Sequence, residues 1–249
     1  MTVTFVTAFF TPKTPYRSLE TYLAHFRPFA ATGVPILLFL DPDVSVDVPA
    51  NVRILSRRLD LSWIPEEVQL PAVRTPTKDT REYFAIQLEK LHILADAVAH
   101  TETSHLAWLD FGAFHMFCDH ARSTDLLQEI AVSSFPSSRI LAPGCWPPGL
   151  YDWNRVSWRF CGTFLLGHRD LFRPAYEAQT KLVRDQLPRL TWEVNVWAQM
   201  EEHFEVYLAN HDDTLLSLAM VFVQRHQGVL TCSSVPSDTH PSITDRTAS

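Results

Sequence analysis

The stretch HLAWLDFGAFH (His105–His115) brings an apolar run to a single carboxylate, Asp110, followed by an aromatic, Gly112 and then His115. A carboxylate at the tip of a buried strand is where an α/β sheet presents ligand-binding groups. The same residue can instead open a turn, with Gly112 supplying the backbone freedom. This stretch alone leaves both readings open. Asp110-Phe111-Gly112 also spells the magnesium-binding tripeptide of protein kinases, but no Gly-rich phosphate loop or HRD-type catalytic loop precedes it. The chain has only seven glycines, and none falls in a GxGxxG or Walker pattern, which removes the dinucleotide fingerprint as well.

Other acids recur where ligands gather. Glu193, in TWEVNVW, falls in the first turn of a predicted helix, where the helix dipole favours a carboxylate. His211, Asp212 and Asp213 follow a predicted late strand. Asp110 together with His211 or Asp212 would offer oxygen and imidazole donors to magnesium or manganese, a cation that neutralises a diphosphate leaving group. Asp212 or Asp213 would equally cap the apolar helix that begins TLLSLAMVFV. Asp41-Pro42-Asp43 reads as a surface turn. Arg81 and Lys90 lie on the long helix before the Asp110 strand; a solvated face is the default for both, with a phosphate contact as the alternative. No GxSxG elbow occurs, and no cysteine stands in an activated setting. Trp146, Tyr151, Trp153 and Trp158 crowd one Pro- and Gly-rich loop, which suits a sugar or nucleobase platform as well as plain packing.

Positioning these groups requires a sheet. Strands are predicted at Val3–Phe10, VPILLFLD, Val52–Leu59, HLAWL, RILAP, FCGTFLLG and EVYLANHDD. Between them run helical patterns: Leu19, Tyr22, Leu23 and Phe26 with Gly33 as a stop; Lys78–His100, capped by Asp79 or Thr80; STDLLQEIAVS, capped by Ser123 or Thr124; RDLFRPAYEAQTKLV; and LTWEVNVWAQMEEHF. Nearly continuous apolar strands alternating with helices predict a mostly parallel sheet covered on both faces. Residues 1–228 read as one domain, and the Ser/Thr/Pro-rich 229–249 as a flexible tail.

A chain of 249 residues supports one large core, and a net charge of -7 argues against a nucleic-acid-binding surface. Cys118, Cys145, Cys161 and Cys232 form no CxxC pair and read as reduced thiols. The amino-terminal MTVTFVTAFFTPK lacks a basic n-region, and no window approaches the roughly 18 apolar residues of a spanning helix. A cytoplasmic protein without stable membrane insertion is expected.

Taken in order, TFVTAFF, FRPFAATGVPILLFLD, REYFAIQLEKLHILADAVAH, HLAWLDFGAFH, FCGTFLLGHRDLF, LTWEVNVWAQM and ANHDD resemble the motifs of GT-A-type glycosyltransferases, and within them most the HtrL/YibB-type proteins. The resemblance spans most of residues 1–216. It implies a single-domain GT-A-like α/β/α sandwich with a mostly parallel, mixed central sheet. The implied activity is transfer of a sugar from a nucleoside-diphosphate sugar to a hydroxyl acceptor, a glycan or small molecule. Asp110 would correspond to the family's Asp-x-Asp, which holds a divalent cation (manganese or magnesium) and the donor diphosphate. Thr7, Ala8, Lys90, Gly112 and Gly162 would join Asp110 around the donor. Glu193 would be the base or the acceptor-orienting group, and His211 or Asp212 would complete the metal shell. Gly112 stands where the second aspartate of that motif is expected, so the carboxylate pair is missing. The rival readings are a metal-assisted nucleotidyl or phosphoryl transferase using Asp110 with Asp212 and Asp213, and a non-catalytic sugar- or nucleotide-binding protein of the same fold.

Overall fold

Seven short apolar segments pair into one sheet: β1 (Val3–Phe9), β2 (Ile36–Leu40), β3 (Val52–Ser56), β4 (His105–Leu109), β5 (Ile140–Gly144), β6 (Phe164–His168) and β7 (Phe204–Leu208). The computed structural model describes residues 2–13, 15–149, 152–210 and 214–218. The spatial order is β3-β2-β1-β4-β6-β5-β7. Every pairing is parallel except those of β6, which runs antiparallel to both β4 and β5. This is the mostly parallel, mixed α/β/α sandwich that the GT-A resemblance implied.

The period of two along each strand sorts the core into two layers. On β1 and β4, Val3, Phe5, Phe9, Ala107 and Leu109 point to one face, where α1 (Leu19–Ala30) and α3 (His120–Val132) cover them. Val6, Leu106 and Trp108 point to the other, beneath α2 (Arg81–Ala97), α4 (Phe172–Gln186) and the short α5 (Glu193–Trp197). Covered on both sides, β2 is apolar throughout (ILLFL) and entirely buried.

The reversal of β6 matters most for the site. It sets the amino-terminal end of β6 beside the carboxyl end of β4, with Leu109 opposite Phe164 and the Asp110 N–H donating to the Thr163 carbonyl at 3.0 Å. The aromatic, Pro-rich connection 145–163 therefore leaves β5 and enters β6 at the same edge. Its two ends are tied together there: the Cys145 and Trp146 N–H groups donate to the Trp158 carbonyl, and the Cys161 N–H donates to that of Pro143.

Several boundaries differ from the sequence reading. Helix α3 begins earlier than Ser123 or Thr124 suggested, because Asp119 caps it by accepting the Arg122 N–H at 2.9 Å. Ser123 is instead buried inside the helix and donates to the Asp119 carbonyl. Of the two candidate caps on α2, Thr80 accepts the Tyr83 N–H, while Asp79 turns back to the Thr75 N–H. The segment LTWEVNVWAQMEEHF yields only α5 and a 3-10 turn at Glu201–His203. All five α5 residues are buried, and the Asn195 amide is drawn off to the Asp152 and Arg155 carbonyls. The third strand stops at Ser56 rather than Leu59. His211, Asp212, Asp213, Tyr151, Cys232 and residues 229–249 lie outside the described residues. Among the described residues, no helix is long and apolar enough to cross a membrane.

Phe84, fully buried on α2, meets Trp192 edge-to-face with ring centroids 5.1 Å apart. This contact ties α2 to the segment carrying Glu193. Phe84→Ala is expected to cost about 3–5 kcal/mol, read as a lower urea midpoint with an unchanged slope.

Candidate functional site

At the carboxyl ends of β1 and β4 lies a cleft of about 340 Å³, and Lys90 forms its floor. Lys90 comes from the middle of α2, on the face turned to the sheet, and only 2% of its surface is exposed. Its ammonium donates to Glu193 Oε1 at 2.8 Å and to the Gly162 carbonyl at 2.9 Å, and lies 3.1 Å from Asp110 Oδ1. Three elements far apart in sequence thus converge on one nitrogen. Burying an ammonium costs several kcal/mol unless partners compensate, and here all three donor directions find an oxygen. Burial pulls the Lys90 pKa down, but the Asp110 and Glu193 carboxylates outweigh it and leave it above the ordinary lysine value. The two carboxylates thus hold Lys90 as an ammonium.

The two carboxylates differ in setting. Glu193 is buried at 4% exposure with Oε1 committed to Lys90, whereas the Asp110 side chain is 35% exposed and faces the cleft. The indole N–H of Trp108 donates to Asp110 Oδ1 at 2.6 Å. That bond exists because Trp108, two residues earlier on the strand, projects onto the α2 face, and its ring also lies 6.0 Å from the Lys90 ammonium. Gly162 is required by close approach: a Cβ there would collide with Glu193 Oε1 and come within 2.9 Å of Lys90 Nζ. Tyr83 also lines the cleft; burial first, then the Glu193 and Asp110 charges, push its pKa well above that of an ordinary phenol, so it stays a proton donor.

Of the sequence-predicted residues, Ala8, Lys90, Asp110, Gly112, Gly162 and Glu193 all line this one cleft. Thr7 does not: it is fully buried beneath the sheet, and its Oγ1 has no hydrogen-bond partner among the described residues. The solvated default for Lys90 is overturned by its burial. Arg81 is spent structurally, donating to the Leu61 and Ile64 carbonyls. Asp41 and Asp43 form the expected surface turn, with Asp41 Oδ1 accepting the Asp43 N–H and Asp43 paired to Arg58. From the aromatic loop, Trp158 reaches the cleft while Trp146 and Trp153 do not line it. Sequence reasoning passed over Trp108, Tyr83 and Arg17; for Trp108 the strand period alone would have placed it on the face of α2.

The cysteines give no nucleophile here. No disulfide joins Cys118, Cys145 or Cys161. Cys161 borders the cleft with its sulfur 3.2 Å from that of Cys145. That hydrogen bond, then burial, raises its pKa far above the usual thiol value. It is held as a thiol, the unreactive form.

The donor set also bears on a cation. Among the described residues, no three His, Cys, Asp or Glu side chains gather as a metal site. Asp110 Oδ1 is already engaged by an ammonium and an indole N–H. The described residues therefore do not fit a divalent ion, and His211 and Asp212, the other ligands implied by the resemblance, lie outside them.

No protein-family model matches the sequence, and no curated protein does. Among solved structures, the chain is similar to a glycosyltransferase involved in the glycosylation of the major capsid of PBCV-1. The likeness is at 10% identity and TM-score 0.43, covering 82% of this chain and 80% of that one. It is also similar to the bifunctional IspDF from Campylobacter jejuni at 9% identity and TM-score 0.42, covering 87% of this chain. The chain spans about half of that protein, 52% of its length.

The Lys90 cluster makes a sharp stability prediction. Lys90→Met strands the buried Glu193 carboxylate and is expected to cost about 3–5 kcal/mol. Adding Glu193→Gln to Lys90→Met should recover part of that loss in urea unfolding, whereas independent effects would simply add.

Proposed function

We propose that the chain transfers a sugar from a nucleoside-diphosphate sugar to a hydroxyl acceptor, as the HtrL/YibB-type resemblance implies. The observation that carries the reading is the convergence of Asp110, Lys90 and Glu193 in one aromatic-walled cleft at the ligand-bearing edge of the sheet. A glycosyl donor needs a stacking surface for its base, polar groups for its sugar, and a site beside the anomeric carbon for an incoming hydroxyl. Trp158 and Tyr83 offer aromatic faces or a donor hydroxyl, and Asp110 offers an outward carboxylate.

In this reading Asp110 orients the donor by accepting from sugar hydroxyls, with Lys90 and Trp108 fixing its rotamer. Glu193, with one oxygen bound to Lys90, acts as the acceptor-orienting group. With Oε1 committed to Lys90, Glu193 serves to hold the acceptor hydroxyl through its other oxygen. Ala8, a small side chain on the cleft wall, leaves room for the substrate beside it. The acceptor is a glycan or another hydroxyl-bearing molecule.

Thermal unfolding against a panel of nucleoside-diphosphate sugars tests the reading. A true donor at a hundredfold excess over its Kd stabilises by about 2.7 kcal/mol, a rise of roughly 5 °C or more for a chain of this size. Absence of a shift with every donor, with or without manganese, would count against it. Asp110→Asn should lower sugar release or transfer roughly a hundredfold, the scale of losing one positioned polar group in a closed site. It should also lower the melting temperature without ligand, because it removes one carboxylate partner of the buried Lys90.

A further inference from the structure

Gly112 stands where a second metal-binding carboxylate would be expected, and the side chains nearest it are Tyr22, His115 and His25. A Cβ on Gly112 would lie 3.9 Å from the His115 ring, 3.9 Å from His25 and 3.7 Å from Tyr22, all ordinary contacts. Space for a side chain is therefore present, and the groups facing it are basic. His115 and His25 rings approach to 5.0 Å, and Arg17 Nη1 reaches His115 Nε2 at 3.5 Å. The other His115 nitrogen, Nδ1, contacts the Gly112 carbonyl, so the N–H sits on Nδ1 and Nε2 accepts from Arg17. The Gly112 turn thereby aims the imidazole. Arg17 has no carboxylate partner among the described residues; its contacts are His115 and the Tyr16 ring. Both Arg17 and His115 line the cleft that holds Asp110.

We propose that Arg17 and His115, backed by His25, form an anion subsite that takes the diphosphate of the nucleoside-diphosphate donor in the place a carboxylate-held cation would otherwise occupy. The inference rests on the transferase reading above and specifies how its donor is held. A guanidinium matches two phosphate oxygens at once, and an adjacent imidazole supplies a further donor when an anion favours its protonation. Burial first, then the His115 and Arg17 charges, hold the His25 pKa below its ordinary value. Lys90 is shared between Glu193 and Asp110, so one carboxylate charge is left in excess at the cleft floor and the rim donors must hold the diphosphate against it. In a chain of net charge -7, Arg17 at the cleft rim, with no carboxylate partner among the described residues, is the group an incoming anion would meet.

Titration calorimetry with UDP, GDP, ADP and CDP, and with pyrophosphate alone, in EDTA and then in manganese, tests the subsite. At least one nucleoside diphosphate should bind in EDTA, and pyrophosphate should compete with it. Arg17→Ala and His115→Ala should each weaken that binding roughly tenfold or more, the scale of one charge-assisted hydrogen bond. Arg17 sits on a bend before α1 and His115 on the 3-10 helix Ala113–Met116, and Arg17→Gln and His115→Gln provide second variants should either alanine form fail to melt cooperatively. Binding that requires manganese and is unchanged in the variants would overturn the subsite and leave the transferase reading standing. Binding of pyrophosphate without any nucleoside diphosphate would overturn the assignment of the ligand. Absence of nucleoside-diphosphate binding under either condition would remove both.

Discussion

One buried ammonium organises this molecule. Lys90 sits where α2 crosses the sheet, and its three hydrogens are shared among a strand end, a loop carbonyl and the start of α5. Removing any one partner leaves a charge in a poorly solvated place, so the partners fix one another's positions. The geometry of Asp110 and the exclusion of a side chain at Gly162 follow from that demand. Rigidity at the cleft floor is thus an electrostatic consequence, reinforced by the Phe84–Trp192 contact beneath it.

Charge in the cleft is layered. A lysine lies deepest, a single outward carboxylate stands above it, and an arginine with two histidines gathers at the rim. Lys90 is shared between that carboxylate and Glu193, and at the rim Arg17 faces the open cleft with no carboxylate partner among the described residues. Because the intervening walls are aromatic and poorly polarisable, charges at this spacing act on one another more strongly than they would in water.

The strands and most helices were legible because their signals are local. ILLFL reads as a strand buried on both faces, and Asp110 announces itself by ending HLAWL. Lys90 was misjudged for the opposite reason. Its neighbours in sequence, Glu89 and Leu91, describe an ordinary amphipathic helix, while the carboxylates that stabilise it lie 20 and 103 positions away. No periodicity encodes that. LTWEVNVWAQMEEHF overran as a helix because buried apolar segments look alike whether they coil or turn, and the Asn195 side chain that interrupts it binds carbonyls of a distant loop. Arg17 carried no signal in TPKTPYRS; only the fold brings it to His115, 98 positions later.

The antiparallel insertion of β6 has a consequence for how this scaffold can diverge. Both roots of the 145–163 connection are clamped at the ligand-bearing edge by main-chain hydrogen bonds and by the Arg159–Glu201 pair at 2.8 Å. Strand register is set outside those roots, so residues between them can be exchanged or added without shifting any pairing in the sheet. Trp158 hangs over the cleft from that exchangeable span, while Lys90, Asp110 and Glu193 are drawn from elements outside it and Gly162, the remaining partner of Lys90, stands at the clamped root. Innovation in what the cleft admits is thereby separated from the chemistry at its floor, a modularity built by turning a single strand around.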